Sequence, residues 1–144
     1  MSSNGVDHIG VGVVFFCHDG RGNYLLHKRS ATTRDDQGTW DVGGGALEFH
    51  ELLEDGMKRE IKEEYCADAL DHEFIGFRQA RRDNGNEKTH WIAFDFRVRV
   101  DRDQVRNGAP KSIDELGWFR LDKLPTPLHS QLPTALALYK DKLA

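Results

Sequence analysis

The pattern of apolar and polar positions marks out strands first. Residues 9–17 (IGVGVVFFC) form an unbroken apolar run that is too short for a typical core helix and rich in β-branched residues. It predicts a central strand buried on both faces. Turn formers fill 18–23 (HDGRGN), and 24–29 (YLLHKR) reads as the returning strand of a hairpin. A polar loop over 30–38 leads to a short apolar segment, 39–42, and to three glycines, Gly43, Gly44 and Gly45. Residues 51–65 (ELLEDGMKREIKEEY) carry Leu53, Met57 and Ile61 at four-residue spacing, which predicts a helix with one apolar stripe. Glu51 and Glu54 suit its dipole, and Gly56 weakens it and marks a close packing contact.

Two further strands are predicted over 74–81 and 88–100, joined by the turn-rich 82–87. The second alternates. His90, Ile92, Phe94, Phe96, Val98 and Val100 share one face, and Thr89, Asp95, Arg97 and Arg99 take the other, with Trp91 among them. After a polar loop over 101–112, residues 115–121 suit a short strand and 131–143 an amphipathic closing helix. No repeat or linker interrupts the pattern. The expectation is an α/β (α+β) fold, a mixed sheet between helices, with residues 1–144 forming a single domain.

Composition narrows the function. The chain of 144 residues has a formal net charge of −4, which gives no electrostatic reason to bind polymeric nucleic acid. A nucleotide as small ligand remains open, because a magnesium ion can supply the local positive charge. Cys17 and Cys66 are too few for a disulfide scaffold, and residues 1–7 lack both a basic region and an apolar run. Nowhere is an apolar stretch long enough to cross a bilayer, so a cytoplasmic protein without a membrane partner is expected.

The second half of the predicted helix carries the chemistry. At about 100° per residue, Glu63 lies roughly 60° to one side of Glu60 and Glu64 roughly 40° to the other. Three carboxylates thus project into one sector, where like charges repel. A divalent cation reverses the sign of that interaction, and thiol-free oxygen ligands suit Mg²⁺, or Mn²⁺, rather than zinc. Taken alone, such a cluster is an ordinary solvated helix face; the glycine run and the fixed positions of Glu51 and Arg59 distinguish it.

Gly45, five residues, Glu51, seven residues, then Arg59-Glu60-Ile61, one residue and Glu63-Glu64 resemble the Nudix box, G-x5-E-x7-R-E-U-x-E-E-x-G-U. Gly38-Thr39-Trp40, Trp118-Phe119 and Leu124-Pro125 resemble the segments that usually open and close a Nudix domain. The resemblance implies a Nudix-type fold and Mg²⁺-dependent hydrolysis of a diphosphate linkage in a nucleoside diphosphate bearing a further group. It implies metal ligands at Glu60, Glu63, Glu64 and the Gly44 carbonyl, with Glu51 and Arg59 orienting them. A helix glutamate or a later carboxylate activates water; Glu115 is the first candidate outside the box, ahead of Asp114 and Glu87. A homodimer is compatible with the family. Three positions depart from the pattern: Cys66 stands for the expected glycine (with Ala67 after it), His50 for the glycine before Glu51, and Gly43 for a frequent proline. The helix is therefore expected to end differently here.

Substrate contacts are expected from Arg29 and from Trp91 and Phe77, whose aromatic faces suit a base. For two of them a plainer role competes: an exposed strand-end arginine for Arg29 and core packing for Phe77; Trp91 stands out because it interrupts the polar face of its strand. Glu48 could join the metal shell. His27 and His90 are read as structural and Cys17 as a core residue. The small MutT-type enzymes give the nearest resemblance, which implies a nucleoside triphosphate, canonical or oxidised, cleaved to monophosphate and pyrophosphate. Hydrolysis of sugar nucleotides or of dinucleotides of the ADP-ribose or NADH type is the alternative. Segments 26–30 and 40–42 also resemble isopentenyl diphosphate isomerases, but 41–46 holds no cysteine to serve that chemistry. A non-catalytic nucleotide sensor is disfavoured because every box glutamate is present.

Overall fold

The computed structural model describes residues 3–83 and 85–144. Residue 84, inside the predicted turn 82–87, and residues 1 and 2 lie outside the described residues. The central strand is β1 (Gly10–His18). It runs parallel to β6 (Lys88–Arg99) along its whole length and antiparallel to the glycine strand β4 (Gly43–Ala46) on its other side. The long β5 (Asp71–Asp83) completes this set as an antiparallel neighbour of β6. A second antiparallel set joins β3 (Trp40–Asp41), β2 (Asn23–Arg29) and β7 (Ile113–Arg120).

The predicted hairpin is therefore only a turn. β1 and β2 pair at His18 and Tyr24 and then diverge, because both edges of β1 are occupied by β4 and β6. Asp19 holds the turn: its carboxylate accepts from Arg21 N (2.8 Å), Asn23 N (3.2 Å) and Asn23 Nδ2 (2.9 Å).

Strand β1 is buried on both faces, as its apolar run predicts. Val13, Phe15 and Cys17 pack with Met57, Ile61 and Tyr65 of α1 (Leu53–Tyr65). Phe16 packs on the opposite face with Leu132, Ala135 and Tyr139, against α2 (Leu132–Leu138). The predicted closing helix is broken at Tyr139 (φ −104°, ψ 19°), and a short α3 (Lys140–Leu143) follows. Gly56 marks the expected close contact, since a Cβ there would fall 2.7 Å from Leu47 Cδ1.

The end of α1 differs from the expectation drawn from Cys66. The residue itself takes the left-handed conformation (φ 57°, ψ 25°), which costs a non-glycine residue about 1–2 kcal/mol. A loop makes that ending worthwhile by donating to the last carbonyls: Arg106 N to Tyr65 O (2.9 Å) and Gly108 N to Glu64 O (2.8 Å). His50, the other residue standing where glycine was expected, likewise has φ 72°.

The polar face of β6 also departs from the pattern's implication of solvent. Asp95 is fully buried, where it accepts two hydrogen bonds from Arg78 (both 2.7 Å) and one from the Tyr139 hydroxyl (2.5 Å). Phe77, by contrast, is 58% exposed rather than core.

Candidate active site

Strand β4 and helix α1 meet where glycines permit close approach. A Cβ on Gly45 would lie 2.2 Å from the Glu60 carboxyl carbon, and one on Gly44 would lie 2.8 Å from Val13 O. The glycine run thus lets the helix carboxylates reach the strand backbone. Glu64 uses that access: its Oε2 accepts from Gly44 N at 3.2 Å.

Arg59 is the organising cation. Its Nε and Nη2 form a fork on Glu51 (2.7 and 2.9 Å), and Nη2 also donates to Ala46 O (3.1 Å). Nη1 donates to Glu60 Oε1 (2.8 Å) and more weakly to Glu63 (3.3 Å). Such a bidentate pair fixes orientation as well as charge. The Arg59 guanidinium holds the Glu51 carboxyl down at about 2. Glu51 also accepts from Glu48 N (3.1 Å), which ties the loop before α1 to the same cluster.

Glu64 stands apart. Among the described residues it receives one backbone N–H and no cation, and burial, with the negative charge of Glu60 next in weight, pushes its carboxyl up to about 8. Burial likewise raises Glu60 against the opposing pull of Arg59. The three carboxylates therefore do not converge on one point: Glu60 and Glu63 turn to Arg59, and Glu64 turns to Gly44. Among the described residues, the acid and histidine ligand atoms that do gather within 4.8 Å belong to Asp35, Asp36 and His129. That group is already neutralised, since Arg82 bonds Asp35 (2.8 Å) and Asp36 (3.0 Å) while Arg29 bonds Asp35 (3.2 Å). Its geometry describes an ion-pair network bracing the loop over 30–38.

Glu64 and Gly44 open onto a cavity of about 570 Å³ between the sheet and α2. Arg29, Trp91 and Phe77 all border it. Arg29 is held by Asp35, through both its carbonyl (3.1 Å) and its carboxylate. Trp91 covers Gly5 and Gly10, where a Cβ would fall 2.2 and 2.6 Å from the indole. Phe77 meets only the rim, because its ring pairs with Phe94 across the strands on the α1 face of the sheet (centroids 6.2 Å apart).

Glu115 is not brought to the cavity. It is exposed on β7 opposite Lys28, whose ammonium lies 3.8 Å away. Asp114 is exposed beside it, Glu87 pairs with Arg34, and Glu48 lies 3.7 Å from Arg59 at the edge of the cluster. Sequence reasoning passed over Asp41, Arg78 and His129, which also line the cavity. Asp41 directly follows Trp40 and burial raises its carboxyl; no local pattern signals either that or the inward placement of Arg78. His27, expected to be structural, also lines the cavity; it is buried and hydrogen-bonded through Nδ1 to the Tyr65 hydroxyl at 2.6 Å, and burial holds it down at about 4.

A mixed sheet between two helical layers, with an arginine-braced acidic helix beside a glycine strand at the mouth of a cavity, defines a hydrolase acting on pyrophosphate bonds. The chain matches the NUDIX domain family over residues 6–139 and belongs to it. It is thereby a Nudix hydrolase of the class acting on nucleoside diphosphates linked to a further group. Among solved structures it is similar to the MutT NUDIX hydrolase of Burkholderia pseudomallei, with 28% identity over 90% of this chain and 97% of that one and a TM-score of 0.79. The MutT protein of Methanosarcina mazei Go1 shares 24% identity over 93% and 94% of the two chains (TM-score 0.74). The NUDIX domain of Shewanella oneidensis NrtR, solved with ADP ribose, has the same fold at 18% identity, over 94% and 88% (TM-score 0.71). No helix among the described residues is long and apolar enough to cross a membrane.

Proposed function

We propose that the protein hydrolyses a nucleoside triphosphate to the monophosphate and pyrophosphate with Mg²⁺, or Mn²⁺, bound by Glu60, Glu63, Glu64 and the Gly44 carbonyl. The observation that carries this is the state of Glu64: a part-buried carboxylate at a cavity mouth, with one backbone donor and, among the described residues, no cation beside it. A buried charge left in that condition is costly, and a divalent cation relieves the cost. The donors are all oxygen, which suits Mg²⁺. When bound, the metal supplies charge stabilisation for the phosphate oxygens.

The chain's own residues do the rest. Arg59 and Glu51 hold the helix carboxylates in place, and second-layer partners of this kind tune metal affinity. Glu64, which lines the mouth, and Glu63, the most exposed of the three helix carboxylates, are the groups to which we assign taking a proton from water. Arg29, fixed by Asp35, offers its remaining donors to a phosphate. Trp91 supplies an apolar wall for a base. A cavity of this size lies within the range for small-molecule sites and fits one nucleotide better than two. The 28% identity to a MutT hydrolase points the same way.

The test is a turnover panel of nucleoside triphosphates, sugar nucleotides, ADP-ribose and NADH with Mg²⁺, run beside Glu64→Gln and a chelator control. Release of pyrophosphate from triphosphates, lost in both controls, supports the proposal. Cleavage of ADP-ribose or NADH in preference overturns the triphosphate assignment, and nucleotide binding without turnover of anything supports a sensor instead.

A further inference from the structure

The sheet face that floors the cavity has an empty tile with one reaching cation beside it. Strand register sets the layout. Gly10, Trp91 and Ala80 lie in one row across β1, β6 and β5; Gly12, Ala93 and Arg78 lie in the next; Val14, Asp95 and Gly76 lie in the third. In the middle row Gly12 and Ala93 add no more than a methyl group above the sheet, so a flat patch about two strands wide lies open between Trp91 and Arg78. Leu138 of α2, 60% exposed, stands at the cavity rim as an apolar cover.

Arg78 is fixed in one pose. Its Nε and Nη2 both bond the fully buried Asp95, which the Tyr139 hydroxyl grips from the other side. The remaining nitrogen, Nη1, has no hydrogen-bond partner among the described residues. No buried side-chain nitrogen or oxygen among them lacks a partner, and Arg78 is 19% exposed while lining the cavity. Nη1 therefore offers its hydrogens to the cavity. A guanidinium can only donate.

Distance separates this donor from the phosphate end. From β4, where Glu64 meets Gly44, the sheet runs through β1 to β6, where the Arg78 guanidinium lies against Asp95: two strand spacings or about 10 Å. That is too far for the cleaved anhydride and suits the far edge of a base lying on the Gly12–Ala93 tile.

We infer that Arg78 is a specificity-determining residue that selects a 6-oxopurine base. Guanine and hypoxanthine present two adjacent acceptors, O6 and N7, to a donor on that edge. Adenine presents one acceptor beside an amino group, and the amino group meets the guanidinium donor to donor. A 4-oxopyrimidine offers one acceptor and ranks between them. A site built to donate rejects the mismatched base more strongly than an apolar slot does. This inference rests on the nucleotide hydrolase proposed above.

The experiment compares kcat/KM for GTP, ITP and ATP, which share sugar and phosphates, in the wild type, Arg78→Lys and Tyr139→Phe. ITP keeps O6 and N7 but lacks the 2-amino group. Wild type is expected to favour both GTP and ITP over ATP by about tenfold, since the Nη1 donor meets the O6 acceptor in the first two and an amino group in the third. Arg78→Lys keeps a charge for Asp95 but loses the planar donor aimed at the base, and it brings the ITP:ATP ratio to within about threefold, with the loss falling mainly on GTP and ITP. Tyr139→Phe loosens the grip without touching Arg78 and gives an intermediate ratio. Melting curves confirm that each variant is folded. An equal loss for all three substrates assigns Arg78 to phosphate or sugar and overturns the inference, as does a wild-type ITP:ATP ratio near one. If no nucleotide is turned over, the hydrolase proposal fails separately. Calorimetric binding of the α,β-methylene analogues of GTP and ATP then decides the base preference, and equal or absent binding overturns it.

Discussion

Glu60 lies against the bare α-carbon of Gly45, so close that a single added methyl group would fall 2.2 Å from its carboxyl carbon. The atom in the way is the end of a flexible side chain, so Gly45→Ala is expected to fold with a stability loss below about 1 kcal/mol. The carboxyl must swing off the strand, and the metal site loses its geometry. Titration of activity with Mg²⁺ is expected to show roughly tenfold weaker activation. Unchanged Mg²⁺ dependence in the folded variant would remove Glu60 from the ligand set.

The fork between Arg59 and Glu51 gives the second prediction. Arg59 touches Glu51, Glu60, Glu63 and Ala46 O at once, which one ammonium cannot reproduce. Arg59→Lys is expected to lower kcat/KM by about 10–100-fold while preserving the fold. Steady-state kinetics beside far-UV circular dichroism checks both halves. A kcat/KM within threefold of wild type would show that the fork does not organise the site.

Much of this was legible in the sequence. The apolar run of β1, the four-residue stripe of α1 and the alternation of β6 each follow from burial against a neighbour, and each element is present. The box residues sit together because one helix and one turn hold them, so their spacing carries their geometry. What long-range pairing decides was not legible. The turn formers over 18–23 predict a hairpin, yet β2 pairs with β7 because β4 and β6 claim both edges of β1. Asp95 reads as a surface acid until Arg78 and Tyr139, 17 and 44 residues away, bury it. Glu115 is the first candidate outside the box from the sequence, yet strand pairing puts it beside Lys28, away from the cavity.

Cys66 carries the third prediction. Its left-handed backbone costs about 1–2 kcal/mol, and a glycine there relieves it at the expense of a more flexible unfolded chain. Cys66→Gly is expected to stabilise by about 0.5–1 kcal/mol in urea unfolding, whereas Cys66→Val, β-branched at positive φ, destabilises. The same contrast is expected at His50 (φ 72°). Destabilisation by Cys66→Gly would mean that packing of the side chain outweighs backbone strain.

Glu64 yields the sharpest pH dependence. Its folded-state carboxyl titrates at about 8, far above the ordinary value, because burial and Glu60 disfavour the charge. A raised carboxyl contributes stability while it is protonated and loses that contribution as pH rises through the folded value. In chelator, Glu64→Gln is therefore expected to leave stability nearly unchanged at pH 4, below the ordinary carboxyl value of the unfolded chain, and to stabilise progressively as pH rises from there to the folded value of about 8. At pH 9, where the wild type must keep a buried charge without a partner, the substitution is expected to stabilise by roughly 1–4 kcal/mol. Saturating Mg²⁺ reverses the order at pH 9, because the cation compensates the carboxylate and gains nothing from the amide. Urea midpoints at the two pH values, with and without Mg²⁺, check this. A Glu64→Gln effect of equal size at pH 4 and pH 9 would show that folding does not raise the carboxyl, and absence of the Mg²⁺ reversal would separate Glu64 from the metal.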